Sequence, residues 1–385
     1  MAERIAIIAV GKAQYEESKP HLNFDEMVLE VVDKVQISSG LTFADDGTGI
    51  DDNVECNQDH WDGRTISGQN ALDVVGGHYR SDEKVADDGA VACSYAMMQI
   101  LSGHFDTMLV TAHTKESQTN GRLIENAGFD SIYTQMLGLD FLSGGAMQAK
   151  RYMHKYGITP EHCAQVVVKN RKNAMKNPEA QSPADLTVDD VINSDMLASP
   201  LRQLDVKPVS DGACALILAT EEKARKFTDK PVWIKGVAKC CDTNYLGYRE
   251  LADCRSLELA ARQAYKMAGI VDPKKEIDVA EISETYSYQE LLWSEGLGFC
   301  ARGEGAKLLE SKTTFMGGDL PINPSGGLLS GVPVNVAGLD RIAEAVLQLR
   351  GEAGERQVPD AKIAVAHGTS GAFGQLHCVF VLERE

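Results

Sequence analysis

The stretch KVADDGAVACSYAMMQILSGHFDTMLVTA, residues 84–112, sets the architecture. A short strand at 84–87 leads through a small-residue turn to Cys93. An apolar helix then runs to Gly103, and a second strand opens at 107. A helix apolar on every side, held between two strands, belongs in the middle of an α/β layer stack. A cysteine in the first turn of such a helix lies among unpaired backbone N–H groups, at the positive end of the helix dipole. Both favour the thiolate, so Cys93 is a candidate nucleophile. The same residue suits a core thiol equally well, because cysteine is among the most buried residue types. The other eight cysteines lack this setting and read as core thiols.

Outward from this segment, strand-like apolar runs recur at 5–10, 214–219, 232–237, 277–282, 363–366 and 377–382. Helical patterns lie between them at 24–35, 160–175, 256–267, 286–295 and 337–349. This alternation predicts an α/β fold. Residues about 115–205 interrupt it with polar sequence and turn signals, which predicts a long insertion carrying one or two helices over one face. A boundary falls between Lys230 and Pro231, giving an N-terminal half at 1–230 and a C-terminal half at 231–385.

Composition narrows the function. The 385 residues exceed the usual single-domain range. The N-terminal apolar run is too short for a signal peptide, and no run approaches a membrane span. Nine cysteines without regular spacing in such a chain suggest a cytoplasmic protein with free thiols. There is no CxxC and no zinc-like histidine spacing, so no metal site is expected. A net charge of −18 argues against nucleic acid. One basic cluster stands out: Lys169, Arg171, Lys172 and Lys176. It is either a solvated helix face or a surface for the phosphates of an anionic substrate.

Three further segments can carry chemistry. The loop PINPSGG brings glycines that permit close backbone approach, and Asn323 offers an amide to orient a water or carbonyl. The segment KIAVAHGTSGAFGQLHCVFVLE reads as strand, Gly-rich hairpin and strand, with His367 ending the first strand. At EISETYSYQELL, Ser283, Glu284, Thr285 and Tyr286 occupy a strand-to-helix junction; capping is the ordinary role there, and a buried acid or base is the other.

Together and in this order, these segments resemble the thiolase superfamily, most closely its sterol-carrier-protein-like and archaeal branch. The most specific stretches are LTVDDVINSDMLASPLRQLDVKPVSDGACALILAT, LPINPSGGLLSGVPV and AHGTSGAFGQLHCVFVLERE. The resemblance implies two similar α/β halves in a five-layered αβαβα sandwich. It implies a Cys93 acyl-enzyme and coenzyme A as substrate rather than bound cofactor; Lys169, Arg171 and Lys172 are candidates for its phosphates by their charge clustering. The sequence departs from the family at two places. Gly331-Val332-Pro333 stands where a Gly-His-Pro is usual, and Ser283-Glu284-Thr285-Tyr286 where His-Asp-x-Phe is usual. With two histidines missing, His367 becomes the best acid/base candidate, ahead of Glu284 and Tyr286.

Such departures accompany a small OB-fold, zinc-ribbon subunit, so a homodimer with that partner is expected. The resemblance extends to the large subunits of benzoylsuccinyl-CoA thiolases, which implies cleavage of a branched or aromatic 3-oxoacyl-CoA. Two other readings stay open: a retro-aldolase of the same fold that uses tyrosines, and a non-catalytic acyl carrier.

Overall fold

The structure, a computed structural model, describes residues 3–44 and 48–385. Nine strands form one mixed sheet. They are β1 (Ile5–Lys12), β2 (Asp52–Cys56), β3 (Asp82–Val85), β4 (Thr107–Lys115), β5 (Asp211–Thr220), β6 (Val232–Cys241), β7 (Val279–Ile282), β8 (Ile363–Ser370) and β9 (Leu376–Arg384). The order is β3-β2-β4-β5-β1-β6-β9-β8-β7. It mirrors itself about the β1/β6 seam. Outward from β1, the chain pairs antiparallel with β5, which pairs antiparallel with β4, which pairs parallel with β2. Outward from β6, the pattern of β9, β8 and β7 is the same. The seam itself is short, Ala6 opposite Trp233 and Ile7 opposite Val232. A repeat too weak to see in residue identity is therefore plain in topology.

The principal helices are α1 (Phe24–Ser39), α2 (Gly89–Leu101), α3 (Gly121–Ala127), α4 (Phe141–Tyr156), α5 (Pro160–Ala174), α6 (Arg255–Ala268), α7 (Ser287–Gly296) and α8 (Ala337–Arg350). Three apolar clusters define the layers. α2 and α8 share a central core with strands of both halves. α1 covers the outer face of the N-terminal half, and α6 and α7 cover that of the C-terminal half. The stack reads α, β, α, β, α, the thiolase-type sandwich. The insertion holds three principal helices rather than one or two. Its α4 and α5 bury Ala149, Tyr152, Val166 and Val167 in the same cluster as α7, so apolar burial ties it to the C-terminal half.

Two strands differ from the sequence expectation. β2 (DNVEC) has no counterpart in it, and β3 is Asp82–Val85 rather than 84–87. Both are polar, and apolar runs cannot reveal polar strands. Glu55 on β2 is almost wholly buried beside Asp82 of β3, and burial with that neighbouring acid pushes its carboxyl up to about 9. The carboxyl is therefore protonated in the folded protein at neutral pH. Its contribution to stability is full below about 4.5 and is lost as pH rises through about 9. Between those limits the loss is about 1.4 kcal/mol per pH unit. Glu55→Gln is expected to flatten this dependence, read as urea midpoints between pH 6 and 10.

Candidate active site

The helix carrying Cys93 starts earlier than its sequence suggests. Asp88, not a residue near Cys93, caps α2: its Oδ1 accepts from Ala90 N at 2.9 Å, and its Oδ2 accepts from Gly338 N, at the start of α8, at 2.8 Å. Gly368 must be glycine because a Cβ there would lie 2.1 Å from Asp88 Oδ1. Burial lifts the Asp88 carboxyl to about 7, against those backbone donors. Cys93 is thus the fifth helical residue, about 6 Å along the axis from the first. Its N–H lies beyond the unpaired donors of the first turn. It is fully buried in the central core, and burial alone pushes its thiol up. Val332, where the family has a histidine, lies in the same apolar cluster. The first-turn placement of Cys93 is corrected: it sits in the second turn.

His367 is likewise not at a strand end. It lies within β8, opposite Val379 and Ile282. Its Nδ1 accepts from Ser283 N at 3.4 Å, which leaves Nε2 to donate to His377 Nδ1 at 2.8 Å. The edge of Trp293 packs on His377 at 4.8 Å. Burial drives the His367 pKa down to about 3, so the ring is neutral. Both of its nitrogens are occupied, by Ser283 and His377.

Asn323, Glu284 and Lys169 are brought together, in an internal network. Asn323 adopts φ 53°. Its Oδ1 accepts from Ile282 N at 2.7 Å, and its Nδ2 donates to Glu284 Oε2 at 2.8 Å. Glu284 also accepts from Asn170 Nδ2 at 3.0 Å and Leu329 N at 3.3 Å. Gly327, at φ 64°, leaves room for it, since a Cβ there would sit 1.9 Å from Glu284 Oε1. Burial and neighbouring Glu290 push Glu284 up to about 8. Glu290 in turn is paired with Lys169 at 2.5 Å. The network pins the PINPSGG loop to the β7–α7 junction and to α5, and it uses up the Asn323 amide that sequence reasoning left free.

The basic cluster is not one surface. Lys169 is inside, with a second bond to Ile322 O at 2.9 Å. Arg171 is mostly buried, donates to Ser182 O at 2.7 Å, and is lowered to about 10 by burial. Lys172 is exposed, 3.9 Å from Asp185. As phosphate ligands, Lys169 and Arg171 are corrected to internal supports, and of the three only Lys172 faces solvent.

A cavity of about 430 Å³ lies between the insertion and the β7–α7 junction. Trp61, Leu142, Leu197 and Val206 give it apolar walls; Glu116, Arg122, Glu125, Lys207, Thr285 and Tyr286 supply the polar groups. Its size and mixed lining suit a small-molecule site. Two of the polar walls are closed ion pairs: Lys207 with both oxygens of Glu116 at 2.7 and 2.9 Å, and Arg122 with Asp140 at 2.5 Å. Tyr286 is 4% exposed, and its hydroxyl has no hydrogen-bond partner among the described residues. Burial, then Glu125, Tyr288 and Asp140, raise its pKa well above 10, so it is a neutral donor. Glu125 was missed by sequence reasoning, since nothing in the polar insertion singles it out.

Similarity to known proteins gives the family and agrees with the fold. Residues 238–384 match the family described as "Thiolase C-terminal domain-like". An acetyl-CoA acetyltransferase of Methanothermobacter thermautotrophicus is 39% identical over 76% of this chain and 76% of its own length. The benzoylsuccinyl-CoA thiolase subunit BbsB of Thauera aromatica is 34% identical over 59% of each chain. Among solved structures, the Ltp2-ChsH2(DUF35) aldolase superposes with a TM-score of 0.83 at 25% identity, covering 99% of this chain and 97% of that one. The chain belongs to the thiolase superfamily, in the branch of the archaeal acetyltransferases and sterol carrier protein 2. It is an enzyme of the acyltransferase class.

Proposed function

We propose that the chain breaks or forms the C2–C3 bond of an acyl-CoA thioester in the 430 Å³ cavity, passing the acyl fragment to CoA as thiolases do. The observation that carries this reading is Tyr286, an unpartnered neutral hydroxyl on the cavity wall. Breaking C2–C3 moves negative charge onto an oxygen, and a preplaced donor in a water-poor site stabilises that charge. CoA enters as a substrate. The identity with the Thauera aromatica subunit supports a branched or aromatic acyl group, 2-benzoylsuccinyl-CoA among them. That relative is named as a subunit, and the aldolase structure pairs two named proteins. Both support an assembly of this chain with a second, different subunit; that the partner is a small OB-fold, zinc-ribbon protein, joined to a homodimer of this chain in the cytoplasm, extends the proposal on the family resemblance.

In the thiolytic reading, the acyl group passes through a Cys93 thioester. A second reading, retro-aldol cleavage of a 3-hydroxyacyl-CoA, is favoured by the burial of Cys93 in the second turn of α2. Retro-aldol cleavage requires no covalent enzyme intermediate. With iodoacetamide, exposed Cys241 is expected to be alkylated in the folded protein while Cys93 is not, read by peptide mass spectrometry. An acyl adduct on Cys93 after mixing with acetoacetyl-CoA would establish the thiolytic reading and show that α2 opens. If neither a 3-oxoacyl-CoA with CoA nor a 3-hydroxyacyl-CoA is cleaved, the whole reading fails.

A further inference from the structure

Glu125 is the one carboxylate on the cavity wall that forms no salt bridge among the described residues. The other lining carboxylate, Glu116, is held by Lys207 and also accepts from Val334 N at 2.6 Å. The two lining cations are both committed, Lys207 to Glu116 and Arg122 to Asp140. Among the described residues Glu125 is anchored by Phe141 N alone, which donates to its Oε2 at 3.3 Å from the first residue of α4. It lies near enough to Tyr286 for its charge to raise the pKa of that phenol. The groups facing it are Lys207 and Glu116 from either end of the insertion, Asp140 ahead of α4, and Tyr286 from the C-terminal half. A half-buried carboxyl opposite an unpartnered phenol is an acid/base arrangement built across the cavity.

Resting on the C2–C3 reading above, we propose that Glu125 is the group that carries the proton between the C3 oxygen and C2. In the cleaving direction Glu125 starts as the carboxylate. It takes the proton from the 3-hydroxyl in a retro-aldol, whose C3 oxygen then becomes the carbonyl of the leaving fragment. The C2–C3 bond then breaks, its electron pair passes into the thioester as an enolate, and Tyr286 donates a hydrogen bond to the oxygen bearing that charge. Glu125 returns the proton to C2. No oxidant, reductant or net proton is consumed. Burial is the main cause that lifts the Glu125 carboxyl to about 7, which suits a group that must both take and give a proton near neutrality.

The partial reaction that isolates this step is hydrogen exchange at C2 of acetyl-CoA in D₂O, followed by mass spectrometry. The intact protein is expected to exchange at a rate that rises with pH through about 7 and then levels. Glu125→Gln should lower exchange by about 10²–10⁴-fold, with CoA affinity and far-UV spectrum unchanged. Glu125→Asp should recover part of the rate with a shifted pH profile. Exchange by Glu125→Gln at the rate and pH profile of the unaltered protein overturns the assignment, even if C–C cleavage is confirmed. An unaltered protein that neither exchanges acetyl-CoA nor cleaves acetoacetyl-CoA or a 3-hydroxyacyl-CoA overturns the function as well.

Discussion

Tyr286→Phe is expected to slow C2–C3 cleavage by about 10²–10⁴-fold with little loss of stability. The ring is what the fold needs. It stacks on Tyr288 with centroids 5.9 Å apart and planes 6° from parallel, and it fills the space over Gly145, where a Cβ would meet its Cε2 at 2.5 Å. Phenylalanine keeps all of that. The hydroxyl is what the fold does not need, since it has no hydrogen-bond partner among the described residues and borders the cavity. Its pKa, held far above 10 by burial and the nearby carboxyls, rules out a resting phenolate and leaves the donor role. Single-turnover cleavage with saturating CoA thioester is the measurement. A loss in kcat with the thioester dissociation constant unchanged is the expected pattern. A rise in KM alone would reduce Tyr286 to a binding contact.

The sequence exposed the layers better than the chemistry. Helices α1 and α6 have one face that must be buried, and their apolar spacing announces it. Strands β5 and β9 are apolar almost end to end, as strands covered on both faces must be. Cys93 was legible as a cysteine on a buried helix but not in its position along it. Asp88-Gly89 reads as part of the turn after the strand, whereas Asp88 is the cap that starts the helix four residues before Cys93. The cluster around Lys169 failed because charge alone does not report burial: α5 packs on several sides, and Lys169 and Arg171 are both buried. Lys169 turns inward to Glu290 while Lys172 turns outward. Glu125 is set by packing between distant segments, so no local pattern could mark it.

Arg341→Met is expected to destabilise the fold by about 3–5 kcal/mol, read as a fall in the urea midpoint. Arg341, in α8, is almost completely buried and bonds Glu281 of β7 at 2.6 Å, with Asp340 as its other carboxylate partner. The charges continue through Asp340 to Lys12 of β1 at 3.0 Å, and through Glu344 to Arg356 at 2.9 Å. Tyr15 donates to Asp340 at 2.7 Å. One charged cluster thus ties α8 to strands of both halves, beneath the loop that carries Asn323. Removing one cation leaves Glu281 buried without its countercharge. Burial already lifts that carboxyl to about 7 against the pull of Arg341. Methionine fills the volume but not the charge, so Glu281 must take up a proton on folding, and the loss should be greater at pH 8 than at pH 6. Adding Glu281→Gln to Arg341→Met removes that ionisation and should recover part of the stability and flatten its pH dependence. The same carboxylate accepts Ser325 N at 3.0 Å and Ser325 Oγ at 2.7 Å, so it also holds the PINPSGG loop against the junction that presents Tyr286. Turnover in Arg341→Met should therefore fall at temperatures well below unfolding. If stability drops and turnover does not, the cluster supports the fold alone.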